Sequence, residues 1–272
     1  MTDDAATGED AHGARQVAHF YSAIGDAYKR LWAPELLKMS GALLDELPLQ
    51  RAARVLYAGA GVGALLPEIA ARAPDAVVAG VDIAHGMLCL APRRFPRVVM
   101  DVTRLGFRAE SFDVGVLSFV LFHLPEPLTG LQEMARLLRS GGAIGTITWG
   151  NDPTYPAYEL WTEELDRHGA PPADQSISRH DLVDTPGKVE ALLQRAGFHS
   201  IRTFTGIYEN VMTPDSFIEH RTGHGASKRR FESLQPDVQT ACTAAVRTRL
   251  EALDAGGLVD RSDVVYAHAG KP

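Results

Sequence analysis

The chain has 272 residues, with a hydrophobic share of 45% and a charged share of 22%, enough for one large α/β domain with decoration or two small ones. Its formal net charge of −7 and pI near 5.8 count against nucleic acid or an anionic membrane as the main partner. The two cysteines, Cys89 and Cys242, stand far apart without metal-type spacing, no apolar stretch is long enough to span a bilayer, and the acidic N-terminus is unlike a secretory leader, so the sequence reads as cytoplasmic.

Residues 1–13 are polar and aperiodic and read as a disordered tail. Val17, Phe20, Tyr21 and Ile24 then recur at helical spacing, and a second helical stretch runs from about Tyr28 to Leu47. From Arg54 the pattern becomes strands alternating with helices. "RVLYAG", "AVVAGVD", "RVVMD", "FDVGVLSF" and "GAIGTITWG" are near-continuous apolar runs, the pattern of a parallel sheet covered on both faces. After Trp149 one helix and a Pro- and Ser-rich loop precede Thr185-Pro186, a capping hydroxyl followed by proline at a helix start, and Gly197 stands where that helix should end. "HSIRTFTGIY" and "DVVYAHAG" read as the last two strands, with two helices between them, near Pro214–His220 and Val238–Leu253. The expected fold is Rossmann-like α/β, a seven-stranded mostly parallel sheet with an antiparallel last strand.

"RVLYAGAGVGALLPEIA" is a strand, a glycine-rich turn and a helix, the arrangement that holds an adenosine-containing cofactor. Gly59, Gly61 and Gly63 let the backbone bend sharply and lie against a ligand. Asp82 ends the next strand, where a carboxylate can accept hydrogen bonds from both ribose hydroxyls or cap the following helix. Gly59, Gly61 and Ala64 also fit the dinucleotide spelling, so the turn alone leaves the cofactor open.

The blocks "VLYAGAGVG", "GVDIAHGMLCLA", "MDVTRL", "SFDVGVLSFVLFHLPEP", "LLRSGGAIGTITW" and "TPGKVEALLQRAGF" together resemble the class I S-adenosylmethionine-dependent methyltransferases, closest in pattern to the small-molecule enzymes of the ubiquinone/menaquinone-biosynthesis type. The resemblance implies S-adenosylmethionine, not NAD, as the cofactor, and a helical cap formed by 14–47, 154–184 and 211–256 of a domain spanning 14–272. It also places the methionine moiety over Gly59, Ala60 and Gly61, the ribose on Asp82 and the adenine beside Ile83. Met87 follows on the next short helix, Asp101 and Val102 flank the adenine, and Ser118 and Phe119 line the sulfonium region. Asp101 is equally well placed as a turn residue. Tyr21 and Tyr28 match a lid helix that closes over the donor, although Tyr21 also suits core packing. Tyr57 departs from the family, which usually has a carboxylate there. A phenol is neutral near pH 7, so charge assistance is lost, and a Tyr57→Asp change should tighten donor binding if that charge matters.

The implied reaction is transfer of a methyl group to a small organic acceptor. Alternatives are a non-methylating reaction on the same fold, such as cyclisation, or a cofactor-degenerate binding protein. His123, beyond the fourth strand, is the best-placed general base, or else packs the start of the next helix. His180 could belong to a substrate cover. "GHGASKRR" is a small basic loop, either a docking point for an acidic acceptor or a solvated run. Trp32, Tyr155, Tyr158, Trp161, Phe217 and Phe231 are a stock of aromatics for an apolar acceptor or for packing. No residue pattern suggests a metal.

Overall fold

The computed structural model describes residues 3–151, 155–172 and 179–272. Two compact units divide the chain, one of residues 1–150, 176–206 and 264–272 and one of residues 151–175 and 207–263. The seven strands are β1 (Arg54–Ala58), β2 (Val77–Asp82), β3 (Arg97–Val99), β4 (Phe112–Ser118), β5 (Leu138–Trp149), β6 (His199–Val211) and β7 (Val259–Gly270). They form one sheet in the order β3-β2-β1-β4-β5-β7-β6. β1 runs parallel to β2 (Arg54↔Val77) and to β4 (Val55↔Val114), whereas β7 is antiparallel to β5 (Trp149↔Val264). The chain goes one way from β1 to reach β2 and the other way to reach β4. That reversal opens a crevice at the carboxyl ends of the strands.

The central strands form where expected because both of their faces are buried. Val55, Leu56, Tyr57 and Ala58 of β1 are all inside, as is every residue of β4. Helices α3 (Leu66–Arg72), α4 (His85–Cys89), α5 (Pro127–Leu137) and α7 (Pro186–Arg195) connect the strands. Thr185 caps α7 through its side chain, accepting from Lys188 N at 3.4 Å, and Gly197 takes φ +90° after the helix. Residues 173–178 of the Pro- and Ser-rich stretch lie outside the described residues.

The N-terminal region differs from expectation. Helix α1 runs from Asp3 to Leu31, so residues 3–13 are helical and not tail. This segment is rich in alanine and carries its acids at the helix start, a composition that favours a helix even without an apolar stripe. The second helix, α2 (Ala33–Asp45), begins after Trp32 because Pro34 suits a first turn but not a helix interior. α1 lies directly on α4: Gly86 N donates to Ser22 Oγ at 3.2 Å, and a Cβ at Gly86 would stand 2.7 Å from the Ser22 carbonyl oxygen.

The other unit gathers α6 (Pro156–Arg167), α8 (Pro214–Gly223), α9 (Gly225–Glu232) and α10 (Pro236–Glu251). Three helices stand where two were expected, and the basic run is not a loop. Lys228 pairs with Glu232 and Arg230 with Asp166. Tyr155, Trp161, Phe217 and Phe231 pack within this unit's own core. Arg221 sits against the rings of Tyr155, Tyr158 and Phe217.

Two expectations follow. Asp113 Oδ2 accepts from Ala53 N at 2.6 Å and Arg54 N at 2.8 Å, and Arg139 pairs with its other oxygen. Asp113→Ala should cost about 2–4 kcal/mol in urea unfolding, since it strands two backbone donors at the foot of β1; a loss under about 0.5 kcal/mol contradicts this bond's role. His224 is pushed down to about 3 by burial, then by His220 and Arg221. Its unfolded form binds a proton near pH 6.5, so this unit should lose stability as pH falls through the interval between those values. His224→Gln should flatten that slope in acid unfolding followed by circular dichroism, and an unchanged slope contradicts the assignment.

Candidate active site

The turn after β1 is built from left-handed backbone, with φ +70° at Gly59, +54° at Gly61 and +69° at Gly63. The glycines are needed for different reasons. A Cβ on Gly59 would lie 2.1 Å from Val120 Cγ2, and one on Gly63 would lie 2.8 Å from Ala91 Cβ. Around Gly61 the nearest atom to such a Cβ is Met87 Cε at 3.4 Å, so its constraint is conformational.

Asp82 fixes the turn. Its Oδ2 accepts from Gly61 N and its Oδ1 from Ala84 N, both at 2.7 Å. Burial raises its pKa, and the amides of Ala84, Gly61 and Ile83 draw it back down. One carboxylate thus serves both the turn and the start of α4. Its remaining lone pairs are those a pair of ribose hydroxyls would use.

Beneath the turn, the Tyr57 phenol is buried beside Ser118, whose Oγ is 3.2 Å from Ser40 Oγ. Burial, and next the Asp82 carboxylate, hold the phenol well above its ordinary range. Tyr28 is held high as well, by burial and then by Tyr21, Tyr57 and Asp82. Tyr57 therefore stands within the field of Asp82.

Further along the sheet edge, Asp101 Oδ1 accepts from both the N–H and the hydroxyl of Thr103 at 2.8 Å, so the turn role is real while the residue also faces the crevice. Phe119 follows β4 with φ +56°, rare for an aromatic residue. Its amide donates to Ile147 O at 2.9 Å, and its ring lies 4.5 Å from that of Trp149, which in turn meets Trp32. Such strain persists where surrounding contacts enforce it and is concentrated at functional sites. His123 ends the short turn Leu121–His123, and its Nε2 is 2.9 Å from the Tyr21 hydroxyl.

One cavity of about 440 Å³ brings together the turn residues Gly59, Ala60 and Gly61, then Tyr57, Asp82, Ile83, Met87, Asp101 and Val102, with Ser118, Phe119, His123, Tyr21 and Tyr28. His180 is not among its walls; it stacks on Phe122 at 4.3 Å, and burial lowers its pKa. Sequence reasoning missed Leu36, Thr103, Arg104 and Thr129. Thr103 is legible by adjacency, since it directly follows Asp101 and Val102. Leu36 and Thr129 carry no local mark.

These residues suit an adenosylated sulfonium compound: a paired carboxylate at the strand tip, a backbone cradle at Gly59–Gly61 and aromatic rings around a cationic centre. Residues 56–145 match the family model described as a methyltransferase domain. The demethylmenaquinone methyltransferase of Beutenbergia cavernae is 31% identical over 61% of this chain and 74% of its own length. The ubiquinone/menaquinone biosynthesis C-methyltransferase UbiE of Bdellovibrio bacteriovorus is 30% identical over 50% of this chain and 59% of its own. In fold, the chain is similar to a Haemonchus contortus phosphoethanolamine N-methyltransferase solved with phosphomonomethylethanolamine and S-adenosylhomocysteine, with a TM-score of 0.54 and 19% identity over 90% of this chain and 56% of that one. The chain belongs to the class I S-adenosylmethionine-dependent methyltransferases of the small-molecule type, enzymes that move a methyl group from that donor to an organic acceptor.

Proposed function

We propose that the chain methylates a small, neutral, largely apolar acceptor held at the Phe119–His123 end of the cavity, with the donor lying along the glycine turn. The observation that supports this most is the meeting of turn, Asp82 and His123 in one cavity of about 440 Å³, a size suited to small molecules. S-adenosylmethionine supplies an electrophilic methyl carbon and a neutral thioether leaving group. The protein's task is then alignment and exclusion of water, and alignment alone is worth several kcal/mol. Asp82 grips the ribose, Gly59–Gly61 take the methionine moiety, Ile83, Met87, Asp101 and Val102 surround the adenine, and Ser118 and Phe119 border the sulfonium. Tyr21 and Tyr28 cover the donor from α1. Among the described residues no helix is long and apolar enough to cross a membrane. The proposed compartment is the cytoplasm, whose reducing conditions suit the free thiols of Cys89 and Cys242.

Incubation with methyl-tritiated S-adenosylmethionine and a panel of small hydroxylated aromatics (catechol, hydroquinone and alkyl phenols) tests the reading, the expected result being label in an organic extract. Acceptor conversion without label favours a cyclase-type reaction instead and contradicts it. Asp82→Ala should weaken S-adenosylhomocysteine binding about 10- to 100-fold in calorimetry, the loss of a charged hydrogen-bond acceptor worth about 1.5–3 kcal/mol. An unchanged affinity removes Asp82 from the site. Tyr57→Asp should weaken binding about tenfold, because it exchanges a packed ring for a second buried carboxylate in the field of Asp82. Tighter binding would restore the expectation drawn from the family's usual residue.

A further inference from the structure

We infer that the outer edge of the sheet, around β3, is a docking surface for an anionic lipid membrane. Charge is spread unevenly along this acidic chain. Between Ile83 and Ala109 one acid, Asp101, stands against five arginines, Arg93, Arg94, Arg97, Arg104 and Arg108. Asp101 is turned to Thr103. Among the described residues none of the five arginines meets a carboxylate, whereas Arg72, Arg136 and Arg139, on either side of this stretch, each pair with one. Arg93, Arg94, Arg104 and Arg108 are exposed and Arg97 is half-buried. Arg94 lies 4.9 Å over the Phe95 ring and Arg97 donates to the Phe95 carbonyl, contacts that leave both positive charges uncancelled.

The arginines flank apolar side chains that face water. Val77, Val98 and Val99 are 58%, 44% and 47% exposed. Val98 and Val99 are neighbours on one strand and point to opposite faces, so β3, the end strand of the sheet, is covered fully on neither face. Charge beside a short edge strand ordinarily keeps it from pairing with other chains, a task that mixed signs perform as well. Charge of one sign around open valines fits a bilayer surface, where basic groups meet phosphate headgroups and apolar groups enter the boundary beneath them. The guanidinium fork matches phosphate oxygens in the same way. A nucleic acid would engage the arginines and leave the valines in water. The net charge of −7 does not oppose this contact, because exposed charges more than about 10 Å away are largely screened at about 0.1 M salt. Arg104 also lines the cavity, so a membrane at this edge stands beside the site. Delivery of an apolar acceptor from the lipid is the part of the inference that rests on the methyl-transfer reading.

Co-sedimentation of the full chain with vesicles tests the surface, comparing phosphatidylglycerol and phosphatidylcholine in equal parts with phosphatidylcholine alone, in low salt. The chain should partition onto the anionic vesicles and be released by about 1 M salt, where the screening length falls to about 3 Å. A triple variant, Arg93→Gln with Arg94→Gln and Arg97→Gln, should partition about a hundredfold less, at roughly fivefold for each arginine. Its S-adenosylhomocysteine affinity should be unchanged, because none of the three is among the described walls of the cavity. Val98→Asp should lower partitioning about tenfold. Equal partition onto the neutral vesicles, a triple variant that sediments as before, or tighter binding to a DNA duplex than to anionic vesicles at the same salt overturns the proposal. Vesicle binding without S-adenosylhomocysteine binding leaves the surface standing and removes the methyl-transfer reading. S-adenosylhomocysteine binding without vesicle retention does the reverse.

Discussion

The site depends on one buried carboxylate with two backbone amides on it. Removing Asp82 from water is costly, and burial does push its pKa up. The amides of Gly61 and Ala84 offset that cost, each at 2.7 Å. In return the carboxylate ties three pieces of chain together: the left-handed turn after β1, the tip of β2 and the start of α4. α4 in turn supports α1 through the close approach of Gly86 to Ser22, which brings Tyr21 and Tyr28 to the cavity. A carboxylate at one strand end thus organises the glycine turn and, through α4, the wall of the cavity that α1 supplies.

The departure at Tyr57 is accommodated within the same arrangement. Where the resemblance implies a carboxylate, this chain buries a neutral phenol beside Ser118, itself next to Ser40. The charge under the turn is then that of Asp82, and the phenol fills the space beside it.

Much of this was legible in the sequence because its causes are local. Parallel strands buried on both faces appear as apolar runs, so β1, β2, β4 and the start of the crevice could be read directly. Thr185 and Gly197 mark the ends of α7 through capping chemistry that acts within a few residues. Helicity at the start of α1 was missed because periodicity was the criterion and residues 3–13 have none. The basic run of α9 was read as a loop because its partners Asp166 and Glu232 are supplied by folding. Of the aromatics read either as pocket material or as packing, Tyr155, Trp161, Phe217 and Phe231 pack in the second unit's core, with Trp161 and Phe217 fully buried. The Tyr21–His123 bond joins an N-terminal helix to the end of β4, and no spacing rule in the sequence encodes such a pair.

The central claim is that the glycine turn and Asp82 hold S-adenosylmethionine and not a dinucleotide. Titration calorimetry of the unsubstituted full chain with S-adenosylhomocysteine, and separately with NAD, tests it most directly. The account predicts a saturable heat for S-adenosylhomocysteine with a Kd of about micromolar, near −8 kcal/mol, and no saturable heat for NAD. Silence toward S-adenosylhomocysteine at millimolar concentration, or tighter binding of NAD, would contradict it.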